Sequence, residues 1–180
     1  LQNNKPGVYD VGEFGMKEKN TVYLMYTSLY IALIFVLTFL IKIPVPPGGY
    51  IHPGDALVIP AGIILGKKKG MFAGACGGAL ADFMGGFYMY IPATIISKAL
   101  MAAVTCIIYK KTEKIIFAAV PVIIINCGIY FIADYIMFGR NYGIYDCIMN
   151  LVQTGVGIIL AVAVMRIFKR INLKKEEYEG

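Results

Sequence analysis

Five side chains that hydrocarbon tolerates poorly lie inside long apolar runs of this 180-residue sequence: Asp82, Lys98, Asp134, Asn150 and Gln153. A charge or an amide at membrane depth demands a partner, a wet cavity or a ligand. Two kinds of chemistry use such a set. Asp82 and Lys98 could serve as an acid/base pair on a lipid-soluble substrate. Alternatively, the whole group could fix the hydroxyls and ring nitrogens of a small, flat, polar molecule, with Tyr88, Tyr90 and Tyr130 supplying rings to stack on it. His52 and Asp55 close a Pro- and Gly-rich stretch from Pro44 to Asp55 that could fold over such a guest. The plainer readings stand beside these: His52 as a solvated loop histidine, Asp82 and Lys98 neutralising each other, and the amides tying helices together in a structural scaffold.

The elements that must hold these residues follow from composition. The sequence is 58% hydrophobic and 16% charged, with a mean hydropathy of +0.69. Soluble domains run near 45–50% apolar and about 25% charged, so a water-soluble enzyme, a disordered regulator or a disulfide scaffold fits badly. Apolar runs at 22–43, 56–65, 71–91, 93–109, 115–138 and 144–168 predict an all-α integral membrane bundle of six transmembrane helices. The second run is about half of what a bilayer needs, so it is either steeply placed or partly sheltered by its neighbours.

The net charge of +6 comes from clusters between the runs, at Lys17 and Lys19, Lys67 to Lys69, Lys110 to Lys114, and Arg166 to Lys175. With alternating helices these clusters fall on one side, which predicts cytoplasmic N- and C-termini and no role in nucleic-acid binding. The opposite side holds Lys42, Arg140 and the aromatic stretches 85–92 and 139–145. Leu1 to Gly15 has neither a basic n-region nor an apolar h-region, and is set apart as a disordered leader or cloning remnant; Met16 could be the native start, and residues 16–180 read as one domain.

Counted from the loops, the five polar residues share the outer half of the membrane. A proton path would instead run from face to face. On the third run Gly70, Gly74 and Gly78 recur every four residues and lead to Asp82, so this carboxylate should share the closely packed face. Thr94 with Lys98, Asn126 with Tyr130 and Asp134, and Asn150 with Gln153, Thr154 and Gly157 make stripes on the later runs. Polar faces of four helices can therefore converge.

Catalytic signatures are missing. There is no nucleophile elbow and no H-E-x-x-H, and G-K-K-K-G at 66–70 lacks the pattern of a phosphate loop, so the chain has no means of hydrolysing ATP itself. Cys76, Cys106, Cys127 and Cys147 lie in apolar stretches without C-x-x-C spacing. Neither a metal nor another cofactor is expected.

Residues 50–101 carry H-x-G-D at His52 to Asp55, G-x-x-G-G-A-L-A-D at Gly74 to Asp82 and P-A-T-x-x-x-K at Pro92 to Lys98. This stretch resembles the substrate-binding S components of energy-coupling-factor (ECF) vitamin transporters, of the branch that includes riboflavin-type components. The resemblance implies a multi-pass protein of a prokaryotic plasma membrane that binds a vitamin or precursor from outside. It further implies docking on a membrane coupling protein served by two ATPases, with toppling in the bilayer to deliver the ligand. The family's small-x-x-x-small docking motif on the first helix corresponds to Ser28 and Ala32, a Ser replacing the more usual Ala. One lysine among carboxyls, amides and tyrosines suits pyridoxine or a hydroxymethylpyrimidine better than a doubly acidic molecule, with riboflavin and cobalamin open.

Overall fold

The computed structural model describes residues 18–45 and 49–179, with side chains over 21–44 and 50–170. The segment 1–15 set apart above lies outside the described residues. The helices are α1 (Glu18–Leu40), α2 (Asp55–Ile64), α3 (Lys67–Gly85), α4 (Ile91–Thr112), α5 (Ala119–Phe138) and α6 (Arg140–Glu179). The protein is an all-α membrane bundle. Stretches long and apolar enough to cross a bilayer occupy Thr21–Leu40, Tyr88–Thr112, Ile115–Phe138 and Arg140–Arg170. Large apolar side chains such as Leu24, Leu29, Ile124, Ile136 and Ile159 point outward, as a lipid-facing surface requires.

The remaining helices differ. α3 has 19 residues but opens on Lys67, Lys68 and Lys69. α2 has 10 residues with Pro60 among them, and Leu57 alone of its residues escapes full burial. At about 1.5 Å per residue it spans roughly half of a hydrocarbon core about 30 Å thick. It survives because α3, α4 and α6 enclose it. Of the two readings of the short second apolar run, shelter by its neighbours is the one seen.

Small residues bring these helices into backbone contact. A Cβ on Gly70 would stand 2.5 Å from the Gly62 Cα, and one on Gly78 would stand 2.7 Å from the Thr94 side chain. The glycine stripe of α3 therefore fixes α3 against α2 and α4, and so fixes where Asp82 points.

Two segments expected as outer loops have regular structure instead. In place of the loop expected over 44–55, an antiparallel hairpin forms from β1 (Ile43–Val45) and β2 (Gly49–Ile51), and β-branched Ile43 and Ile51 pair across the strands. Residues 139–145 are not a loop. Gly139, at φ 89°, ends α5 and lets α6 begin at Arg140, with Tyr142 edge-on to Phe138 at 4.8 Å. Arg140, Asn141 and Tyr142 thus occupy a first helical turn.

The bundle interior is divided along its length. Ile34, Val58, Ile59, Ile63, Met101, Val122 and Ile158 form a dry apolar core. On α4, α5 and α6 these residues lie to one side of Lys98, Asn126 and Thr154, and the polar layer lies toward the hairpin end.

Candidate functional site

Lys98 of α4 and Asp55 at the start of α2 form an ion pair at 2.7 Å, with side chains 1% and 0% exposed. Such a pair is stable only when its remaining valences are filled. Lys98 Nζ also donates to Asn126 Oδ1 at 3.2 Å, and Gln153 Nε2 donates to Asp55 Oδ2 at 3.1 Å. Asn126 in turn accepts from Ser97 at 2.7 Å and donates to Thr154 at 2.8 Å and Asn150 at 3.1 Å. α2, α4, α5 and α6 are thereby joined by one hydrogen-bonded knot. The plainer reading, in which Asp82 and Lys98 neutralise each other, gives way to a pair of Lys98 with Asp55. Asp55 reaches the amine first, because the short α2 starts at the level of Lys98.

Asp82 of α3 is held differently. Tyr50 of β2 donates to its Oδ1 at 2.5 Å, and Thr94 donates to its Oδ2. Tyr130 of α5 shares a 2.7 Å hydrogen bond with the Thr94 hydroxyl. Above them Lys42 lies 4.4 Å from the Phe39 ring centroid and 4.7 Å from that of Tyr50. Burial draws the Lys42 amine below its usual range, against the attraction of Asp82. An acid/base couple of Asp82 with Lys98 has no direct geometry to work through.

His52 is buried, not solvated as the simpler reading had it. It follows β2, and its Nδ1 accepts from the Gly54 N–H at 3.1 Å while its own N–H donates to Gln153 Oε1 at 3.2 Å. Accepting at Nδ1 places the proton of the neutral ring on Nε2. Burial brings the imidazole down to about 4, with Lys98 and Lys42 adding to the effect and Asp55 opposing it.

At the α5–α6 side, Tyr90 donates to Asp134 Oδ1 at 2.7 Å, and Asn150 donates to Asp146 Oδ2 at 2.5 Å. The turn leaving α3 sets up Phe87 and Tyr90. Gly86, at φ 79°, lets the Phe87 N–H reach back to the Asp82 carbonyl at 2.8 Å. Phe87 then lies 4.7 Å from Tyr50, centroid to centroid.

These groups surround a narrow chamber with about 40 Å³ of free interior, or about 480 Å³ when counted out to its open mouth. Of the residues singled out in the sequence, His52, Asp82, Tyr90, Thr94, Lys98, Tyr130, Asn150 and Gln153 line it. Asp55 and Asp134, both fully buried, stand directly behind the lining. Tyr88 is not brought in: it is 60% exposed and packs edge-on against Phe83, because a single 3₁₀ turn points it away from Tyr90. Ser28 and Ala32 lie far from the chamber on the exposed face of α1.

Thr38, Tyr50, Phe87 and Asp146 line the chamber without having been singled out as site residues. Asp146 had a signal, since positions 146, 150, 153 and 157 make one helical stripe. Tyr50 enters through hairpin pairing, which the short strands did not announce. Thr38 sits in an otherwise apolar stretch of α1, 31–40, and carries no local pattern.

The family model described as "ECF-type riboflavin transporter, S component" matches residues 18–170. Among curated relatives, the thiamine precursor transporter HmpT of Lactococcus lactis subsp. cremoris (strain MG1363) is 28% identical over 163 residues, covering 88% of this chain and 94% of its own. An uncharacterised protein of Pyrococcus woesei is 27% identical over 139 residues, covering 75% of this chain and 93% of its own.

Proposed function

Given that this chain belongs to the ECF-type riboflavin transporter S component family, we propose that it captures a small vitamin-type heterocycle from outside the cell and releases it inward through an ATP-driven coupling module. The carrying observation is a chamber lined with polar and aromatic groups at one end of an otherwise apolar bundle. The protein is a transporter component by family, and its task is binding without turnover.

In this reading all six helices cross a prokaryotic plasma membrane, α2 and α3 included, with both termini cytoplasmic. The lysines at 67–69 and 110–114 then share the inner side, and the hairpin and Tyr88–Tyr90 turn face outward. His52, Asp82, Thr94, Lys98, Tyr130, Asn150 and Gln153 hold the ligand, with Tyr90 and Phe87 at the mouth. HmpT is named for a thiamine precursor, and that similarity supports a hydroxymethylpyrimidine ahead of pyridoxine, riboflavin or cobalamin. Ser28 and Ala32, exposed at i and i+4 on α1, offer a close-contact surface to the membrane coupling protein, which two ATPases serve.

Native mass spectrometry of the protein purified from cells fed a vitamin panel tests the reading. One bound heterocycle per chain is expected. No bound species from the whole panel refutes it. Ser28→Leu or Ala32→Leu should leave that complex intact and abolish uptake; loss of binding in these variants would move the docking surface elsewhere.

A further inference from the structure

At the end of the bundle away from the chamber, α4 and α6 leave a groove between them with about 420 Å³ of free space. Tyr109 on its wall lies eleven residues along α4 from Lys98, a rise of roughly 16 Å. The lining divides by chemistry. Buried Ile115 and Met165, with half-buried Val162, form an apolar floor, while exposed Lys114, Arg166 and Glu113 and half-buried Lys169 stand around it.

The rim is placed by ordered backbone and ring contacts. Glu113, at φ 57°, ends α4 with its N–H on the Tyr109 carbonyl at 2.8 Å. The Lys114 N–H then donates to the Thr112 hydroxyl at 3.4 Å. From the opposite wall, Lys169 of α6 lies 5.5 Å from the Tyr109 ring centroid. Neither Lys114 nor Arg166 has an acidic partner within 4 Å among the described residues. The rim therefore carries an excess of positive charge over Glu113, and Lys110 and Lys111 in the last turn of α4 add to it.

Depth narrows what fits this groove. The stretches able to cross a bilayer stop at Thr112 on α4, resume at Ile115 and stop again at Arg170 on α6. The charged rim thus lies where hydrocarbon gives way to headgroups. Along α6, Val162 and Met165 come before Arg166 and Lys169, which sets the floor on the hydrocarbon side. Ile116 and Phe117 beside it are 54% and 57% exposed, a surface for lipid and not for water. A small inorganic anion would satisfy the rim and leave the floor bare. A zwitterionic lipid would cover the floor, but it brings a cation to a basic rim.

We propose that this groove binds one anionic phospholipid, its phosphate held by Lys114, Arg166 and Lys169 and an acyl chain lying on Ile115, Val162 and Met165. The Arg166 guanidinium can meet two phosphate oxygens at once, which a lysine cannot. Basic side chains between membrane helices at the interface are suited to such headgroups. The site requires only the membrane bundle and not the vitamin-binding reading, so either can fail alone.

Native mass spectrometry of the full chain in detergent micelles, titrated with phosphatidylglycerol or with phosphatidylcholine of the same acyl chains, tests the site. Phosphatidylglycerol should bind at least about tenfold more tightly, one molecule per chain filling first. Lys114→Gln with Arg166→Gln should remove most of that preference and leave phosphatidylcholine binding unchanged. Lys67→Gln with Lys68→Gln takes the same charge from exposed positions at the start of α3, at the same end of the bundle, and should keep the preference.

The comparison of the two lipids on the wild-type chain needs no variant to fold. Equal affinity for both overturns the proposal. So does an equal loss in the α3 pair, which would mark a diffuse charge effect with no site. Displacement of the lipid by glycerol phosphate in large excess overturns it as well, since the rim would then take a small anion without the floor.

Discussion

Lys98→Met removes one member of a fully buried ion pair and leaves Asp55 with Gln153 as its side-chain donor. Loss of one partner from a buried pair costs about 3–5 kcal/mol, because the survivor stays desolvated without compensation. Asn126 also loses a donor from its Oδ1, though Ser97 still supplies one at 2.7 Å, which keeps this part of the cost small. At about 2–4 °C per kcal/mol for a chain of this size, the melting temperature should fall by roughly 6–20 °C. Asp55→Asn alone should cost a similar amount, since it strands the amine. The double substitution Lys98→Met with Asp55→Asn should recover at least about 2 kcal/mol relative to the sum of the singles. Thermal unfolding in detergent, read by loss of Tyr fluorescence anisotropy and by ligand-free aggregation onset, gives the cycle. If the single changes each cost under about 1 kcal/mol and the double is additive, the pair is exposed to water and the account of the layer is wrong.

Two further outcomes follow from the geometry. The neutral His52 imidazole is favoured in the folded protein, so its contribution is complete above about pH 6.5 and is lost as pH falls through about 4, a change of up to about 3 kcal/mol; His52→Asn, which keeps an acceptor for the Gly54 N–H, should flatten that part of the stability profile, and an unchanged slope would place the titrating group elsewhere. Gly70→Ala would set a methyl 2.5 Å from the Gly62 backbone, which cannot rotate away; a loss of about 1–3 kcal/mol by thermal unfolding is expected, and a neutral result would mean that α2 and α3 are not in contact.

Long apolar runs, basic clusters and the glycine stripe made the helical membrane bundle readable in advance, because lipid imposes the same demand on every span. Convergence of Thr94, Lys98, Tyr130, Asn150 and Gln153 was readable for the same reason: helical spacing fixes a face. Pairing was not. The sequence offers Lys98 both Asp55 and Asp82 as acidic partners, and the choice of Asp55 depends on the depth at which the short α2 begins. The hairpin was equally hidden, since three-residue strands carry no measurable alternation, and with it the placement of Tyr50. His52 followed suit: its burial comes from the hairpin and Gln153, neither visible from its own neighbours. Tyr88 and Tyr90 illustrate the opposite limit, two identical residues two apart, of which a 3₁₀ turn sends one inward and one out.

The dry apolar core beneath the polar layer has a bearing on how cargo can travel. Ile59, Ile63, Met101, Val122 and Ile158 floor the chamber with packed aliphatic groups, so the molecule is a cup with a sealed base. Solute inside it has no exit other than the way it came. Under the proposed function, passage to the far side must carry the cup itself, or part its walls, and a membrane holding only this polypeptide should conduct neither ions nor vitamin.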